Sequence, residues 1–583
     1  VITVFDIEAN AKKVRHVSEV HCISALNERG LFLFGPDRLS EGIEFLLQSQ
    51  VLVGHNILCY DLPVLERILG FRWSGEVFDT LNVSRLIYTN LFELDYTKKK
   101  VAPRLYGSHS LEAWGHRLGE HKGEFRGPWD KYTPEMGKYC EQDTKVNKAL
   151  YDKLVSKDYS KEAIELEHDF QKVIYNQESN GILFDTKKAE ALAATVEQDL
   201  DALRERLSPI LPVRIKRGKL FIPKKDNSKL GYRTGCPSTK ITWIEPNPGS
   251  REQVVHFFQQ KYGWQPTVFT DNNNPKVDDE VLRGLPYPEA EQFADLFERI
   301  KVRGYITSGK NAWLKLVENG RIYGSVNTNG AVTGRCTHSN PNLSQVPSVR
   351  GYKGKECREL FHSGNGWMVG ADASGIELRM LGHYLHRYDG GEYAKEAVVG
   401  DVHTKNQEAG EIPTRDMAKT FIYALLYGAG NEKLGAIITG KKLKSENLRV
   451  GKETREKLYH RIVGLGRLVD DVQRAAKNRG WLKGLDGRHL HIRSQHKALN
   501  TLFQGAGAVV MKKANVIFWD DPMECQQVLN VHDEWEVVTN NQSITEDIGQ
   551  RMVDSIKLAG EYYNLNLPLD GEYKIGKNWA EVH

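Results

Sequence analysis

The chain has 583 residues, 40% of them apolar, a formal charge of +4 and a pI near 8.4. That length exceeds a single hydrophobic core and predicts three or four domains, and no run of 18 apolar residues offers a membrane span. The charge balance is too even to announce a polyanionic partner by itself, and seven scattered cysteines without a CxxC pair argue against a disulfide framework or structural zinc.

Residues 1–8 read as a β-rich strand whose two acids, Asp6 and Glu8, stand two residues apart and so share a face. With a strand starting at Val1 there is no room for a signal or transit peptide, so the expectation is a cytoplasmic protein with no membrane partner and with every cysteine reduced and incidental. A turn at 27–30 implies a hairpin. Residues 51–56 read as a buried strand that enters a helix through Asp61 and Pro63, and Tyr139 and Asp143 lie one helical turn apart. Carboxylates in such a set can hold two divalent cations for phosphodiester hydrolysis, with a phenol to orient the attacking water.

Helical apolar spacing covers 162–175 and 186–207, broken by Asn180-Gly181, which predicts long antiparallel helices with Asp185 or Thr186 capping the second. The segment 212–240 then carries nine Lys and Arg against Asp226 alone, a net +8, interrupted by Pro212, Pro223 and Pro237. Such a block can grip phosphates or form a solvated loop.

Residues 324–347 are turn-rich and hold Arg335, Asn342 and Gln345. After them, residues 367–371 form a buried strand and helical spacing begins at Ile376, leaving Asp372 at a strand-to-helix junction. A second hairpin is predicted around 528–538, with Asp533 and Glu534 at its tip. Asp372 and Asp533 together could hold two cations about 3.5 to 4 Å apart, as in-line phosphoryl transfer requires. Residues 414–430 form a well-punctuated helix with Thr414 as N-cap; Arg415, Lys419, Tyr423 and Tyr427 recur at i+4, each about 6 Å along the axis. Cations followed by aromatic rings suit a nucleoside triphosphate. Asn500 and Gln504, one turn apart, carry donors for minor-groove acceptors common to all correct base pairs.

The first set, Asp6 and Glu8, Asp61 after Asn56, then Tyr139 with Asp143, resembles the proofreading 3′→5′ exonucleases. Taken with Asp372-Ala373-Ser374-Gly375-Ile376-Glu377-Leu378-Arg379, Arg415 through Gly428, and His532-Asp533-Glu534, the chain resembles the Pol I family (family A) of DNA polymerases, in particular the phage branch of T-seven-like podophages. Asp401 through Gln407 and Gly484 through Arg488 also resemble that branch.

The resemblance implies α/β and α+β folding over several domains: an RNase H-like exonuclease at 1–155, a thumb at 156–320, palm at 321–385 and 481–583, and fingers at 386–480. It implies a template-directed DNA polymerase with proofreading that acts in phage genome replication. Asp372, Asp533 and Glu534 would form the polymerase centre, and Arg415, Lys419, Tyr423, Tyr427, His403 and Glu377 the nucleotide site. Arg335, Asn342, Gln345, Asn500, Gln504 and His532 would touch DNA. Two Mg2+ are expected in each site, with Mn2+ as a substitute. Glu377 and Tyr423 are expected to hydrogen-bond beneath the incoming sugar, and a tyrosine at 423 implies acceptance of dideoxynucleotides. Implied partners are primer-template DNA, dNTPs, a replicative helicase-primase and a single-stranded DNA-binding protein. The relatives' long thumb insertion, which recruits thioredoxin, is replaced here by the short basic block, so thioredoxin is not expected. Two alternatives stand: a DNA-binding nuclease whose second half only grips duplex, and a single-subunit RNA polymerase, against which Glu377 and the exonuclease acids speak.

Overall fold

β1 (Ile2–Ala9) is the middle strand of a five-stranded sheet ordered β3-β2-β1-β4-β5. It is covered on both faces, which is why it reads as a nearly continuous apolar run rather than an alternating one. In the computed structural model, which describes residues 1–121, 123–270, 273–440 and 443–583, β2 (Val20–Asn27) and β3 (Gly30–Phe34) form the predicted hairpin antiparallel to β1. β4 (Val51–Gly54) runs parallel to β1, and α1 (Asp61–Leu69) carries the chain over to β5 (Glu76–Asp79), parallel to β4. α2 (Thr80–Ile87) follows β5 directly, and α3 (Pro134–Val155), capped by Thr133, packs on β1 and β2.

The chain divides into two compact units. One comprises Val1–Leu183, Arg321–Gln345 and His362–His583; the other comprises Phe184–Gly320 and Val346–Phe361. The helix predicted at 162–175 is longer, α4 (Lys161–Asn180), and belongs to the first unit, where Leu166, Phe170 and Ile174 share a core with Val326, Val509 and Val516.

In the second unit, α5 (Thr186–Leu207) is capped by Asp185, which accepts from the Lys188 amide at 3.0 Å. Its buried stripe, Leu192, Val196, Leu200 and Leu203, is the one the spacing predicts. The basic block is a hairpin of β6 (Arg214–Phe221) and β7 (Ser238–Ile244), with Ile215 opposite Trp243 and Arg217 opposite Ile241.

Returning to the first unit, β8 (Trp367–Ala373) runs two residues beyond the expected strand and leads into α6 (Ile376–Asp389) through Gly375, whose φ of 58° is the left-handed conformation that glycine adopts freely. α7 (Val402–Gly410) and α8 (Arg415–Leu426) pack together, and α9 (Ala498–Trp519) is a largely buried helix against α6. β9 (Gln526–Val531), β10 (Glu534–Thr539) and β11 (Gly571–Gly576) complete an antiparallel sheet ordered β9-β10-β8-β11. α10 (Thr545–Tyr562) lies on that sheet, so β8 emerges from a solid core and delivers Asp372 at its open end. No described helix is long and apolar enough to cross a membrane.

Candidate functional site

Two groups of carboxylates form in the first unit. At the end of β8, Asp372 pairs in register with Glu534, and the Ala373 amide donates to the Asp533 carbonyl at 3.3 Å. Strand pairing therefore brings Asp372 together with the adjacent acids Asp533 and Glu534, about 160 residues away in sequence. Between them His532 takes a φ of 58° to turn the hairpin tip, and its side chain is exposed. Although Asp372 is exposed at the strand end, partial desolvation there, then the charges of Asp533 and Glu534, lift its carboxyl to about 7, against a smaller pull from His583. Burial lifts Asp533 to about 6, opposed by Arg335 and reinforced by Glu377 and Glu534. Each of these acids feels the charge of its neighbours, a repulsion that a cation relieves, and the donors are hard oxygens of the kind that suit divalent metal ions such as Mg2+.

Arg335 Nη2 lies 3.4 Å from Asp533 Oδ1 and 3.6 Å from Glu377 Oε1. Glu534 is held from behind, by Trp579 Nε1 at 3.3 Å and His583 Nδ1 at 2.6 Å. Neither residue stands out in the sequence, since a tryptophan and a histidine at the chain's end have no local pattern.

α8 presents Arg415 and Lys419 exposed and Tyr423 half-buried on one side, while Ala418, Phe421, Ile422 and Leu425 fill the core on the other. The stripe therefore faces outward. Arg415 Nε is 2.8 Å from Asp401, the N-cap of α7, and holds that carboxyl well below its usual range. His403, in the first turn of α7, stands with its ring 6.1 Å from that of Tyr423, and burial followed by the charges of Lys419 and Arg415 lowers its pKa.

One expectation is corrected here. The phenol that donates to Glu377 is that of Tyr427, not Tyr423. α8 ends at Leu426 and Tyr427 is its C-cap residue, so the second ring swings to the carboxylate while Tyr423 stays beside His403. Asn500 Nδ2 donates to the Leu426 carbonyl at 2.8 Å, satisfying one of that helix's terminal carbonyls, and Gln504 sits one turn on, half-buried in α9. Asn342 accepts from Ser344 Oγ at 2.7 Å, and Gln345 is exposed at the end of the short turn that follows.

The second group lines a cavity of about 680 Å³ that contains Asp6, Glu8, Asp61, Tyr139 and Asp143, all five residues of the predicted set. Asp6 and Glu8 come from β1, Asp61 from the first turn of α1, and Tyr139 with Asp143 from one face of α3. Asp61 is buried, and that burial raises its carboxyl to about 7. The loop leading to it is tied down by Asp79, which caps α2 and also accepts from the Asn56 and Leu58 amides at 3.1 and 3.2 Å. Asp79 is legible in the sequence only as a helix cap. Arg85, His109 and Asn327 also line the cavity, and no local pattern points to them. Cys140 is not incidental: its thiol donates to the Asp6 carbonyl at 3.4 Å. All seven cysteines are free thiols.

Of the two groups, the first lies within a stretch that matches a known family. Residues 238–581 match the model of DNA polymerase family A. The DNA-directed DNA polymerases of Enterobacteria phage T3 and Escherichia phage T7 are each 36% identical over 706 aligned positions that cover all of both chains. Since 706 exceeds 583, both alignments contain at least 123 positions with no counterpart here. Among solved structures, the polymerase domain of Pol1 from M. smegmatis, in complex with DNA primer-template and dNTP, superposes with a TM-score of 0.72 at 18% identity, over 100% of this chain and 96% of that one. A full-length match to two such enzymes leaves no place for the RNA polymerase reading. The chain belongs to family A of the DNA polymerases and is a DNA-directed DNA polymerase.

Proposed function

We propose that this polymerase extends a primer at the Asp372–Asp533–Glu534 centre and removes 3′-terminal nucleotides at the Asp6–Glu8–Asp61–Tyr139–Asp143 centre, with two Mg2+ at each. The observation that carries this is the presence of two carboxylate clusters, one at the paired ends of β8 and β10, the other formed by β1 of a different sheet with α1 and α3. The full-length likeness to two phage enzymes supports a role in phage genome replication. Cations bound at either centre supply positive charge to the phosphate in transit.

At the first centre, Asp372 and Asp533 are the ligands, and Trp579 and His583 fix the position of Glu534. Arg415, Lys419 and His403 receive the triphosphate of an incoming dNTP. The exposed Arg415–Asp401 pair is easily exchanged for phosphate, because a solvated ion pair contributes little by itself. Arg335, Asn342, Gln345, Asn500, Gln504 and His532 face the primer-template. At the second centre, Tyr139 orients the attacking water between the carboxylates.

Sugar selection falls to Glu377, whose carboxylate is held by the Tyr427 phenol, and to Tyr423. A ribonucleotide's 2′-hydroxyl would have to displace a carboxylate that is already hydrogen-bonded. Glu377→Ala is therefore expected to raise ribonucleotide incorporation about tenfold or more. Wild type is expected to use dideoxynucleotides and deoxynucleotides at comparable rates, and Tyr423→Phe to restore discrimination with little loss of normal extension. Single-nucleotide incorporation assays measure both; a wild type that strongly rejects dideoxynucleotides contradicts the role given to Tyr423.

The β6–β7 hairpin bears clustered cations without an ordered set of base-reading side chains, which supports contact with the phosphate backbone. Neutralising Lys216, Arg217, Lys224 and Lys225 together is expected to weaken primer-template binding and to flatten its log–log salt dependence by about 0.9 for each phosphate no longer neutralised. Fluorescence anisotropy across a salt series checks this, and unchanged affinity and slope would remove the hairpin from the DNA interface.

The proposal as a whole is tested on a labelled primer-template with Mg2+: extension with four dNTPs and shortening without them are expected, and the absence of shortening would remove the second centre.

A further inference from the structure

Arg335 sits near the end of the hairpin loop that joins the strands Ser325–Asn327 and Thr337–Ser339. Loops of this kind move unless something holds them. This one is held from beneath by four buried charges brought together from three distant segments. Glu167 on α4, Asp486 and Arg488 in the turn at 484–488, and Lys512 on α9 are exposed by only 0%, 1%, 2% and 3%. Arg488 Nη2 lies 2.8 Å from Glu167 Oε1 and 2.6 Å from Asp486 Oδ2, and Lys512 Nζ lies 2.5 Å from Glu167 Oε1.

The donors that remain reach up to the loop. Lys512 Nζ donates to the Thr328 carbonyl at 2.8 Å, and Arg488 Nη1 to Asn329 Oδ1 at 3.3 Å. On the other side, the Thr328 hydroxyl donates to Gln171 Oε1 at 3.3 Å, and Asn82 Nδ2, from α2, donates to the same oxygen at 3.2 Å. Gly334, immediately before Arg335, has a φ of 76°, and a β-carbon there would stand 2.7 Å from Arg488 Nη1. The loop thus rests directly on the buried guanidinium. Buried ion sets of this kind contribute little net stability compared with an apolar replacement, but their hydrogen bonds fix geometry.

We propose that the Glu167–Asp486–Arg488–Lys512 cluster is a mount that positions Arg335 against Asp533 and Glu377 for the polymerase reaction. Lys512 and Arg488 are positioning residues in this scheme: they touch the loop and not the substrate. The inference rests on the reading of Arg335 as a group that meets the primer-template at this centre. The anchor on α2 also ties the loop to a helix whose Leu81 and Arg85 line the other cavity, and Asn327, at the foot of the loop, lines it too.

The test is a double-mutant cycle in the full chain, read by rapid-quench extension of a matched primer. Gly334→Ala pushes the loop off the mount without removing a charge, and Lys512→Met removes an anchor. Each is expected to lower the maximal extension rate about tenfold, as small misplacements at a reacting centre do, with KM for dNTP within about twofold. In an Arg335→Ala background, adding Gly334→Ala is expected to cost less than about twofold, because the group it displaces is already gone. A full and additive loss in that background overturns the mount while leaving the reading of Arg335 intact. Wild-type extension by Arg335→Ala alone overturns both. If Lys512→Met fails to fold, the Gly334→Ala cycle separates these outcomes by itself.

Discussion

Asp372→Asn is expected to abolish primer extension while leaving degradation from the 3′ end within about twofold of wild type. The substitution keeps the shape of the side chain and removes one charge from the strand end where Asp533 and Glu534 converge. Because the neutral form relieves repulsion among acids that burial and like charge already push towards protonation, the fold should tolerate it. On the proposed assignment it removes a ligand for a cation that stabilises the phosphoryl group, worth several kcal/mol or about a thousandfold in rate. Asp533→Asn should behave in the same way. A labelled primer-template incubated with and without dNTPs measures both activities in one gel, and loss of degradation in either folded variant would contradict the separation of the two centres.

The opposite result is expected from Asp6→Ala combined with Glu8→Ala: degradation falls by a comparable factor and extension stays near wild type. Both side chains leave β1 on the same face, into the 680 Å³ cavity, so truncating them leaves the buried Phe5 and Ile7 undisturbed. The strand's pairing with β2 and β4 is made by backbone groups and should survive. An assay on single-stranded DNA isolates the effect, and continued degradation would place the nuclease chemistry outside this cavity.

The parts of both centres that are legible in the sequence are those set by local pattern. Asp6 and Glu8 announce a shared face by their i, i+2 spacing, Tyr139 and Asp143 by i, i+4, and Asp372 by the change from strand to helix period. The likeness to a known family then supplies the order that joins them.

What stays hidden depends on long-range packing. The exchange of Tyr423 for Tyr427 at Glu377 follows from where α8 stops, since i+4 spacing alone puts both rings on one stripe. Glu167, Arg488 and Lys512 look like surface charges in isolation and become a buried set only when α4, the 484–488 turn and α9 meet. The β6–β7 hairpin escapes a reading of the pattern because it has no buried face: most residues of both strands are exposed, the apolar Ile215, Ile241 and Trp243 at 51%, 54% and 64% as well as cations, so the polar–apolar alternation that marks a half-buried strand is missing.

The central claim, one chain with a polymerising and a degrading centre, is tested most directly by wild-type protein on a primed template with Mg2+, titrated with the four dNTPs. Shortening of the primer without dNTPs that gives way to full-length extension as they are added is the expected result. Shortening alone at every dNTP concentration would contradict it and would favour a nuclease whose second half only grips the duplex.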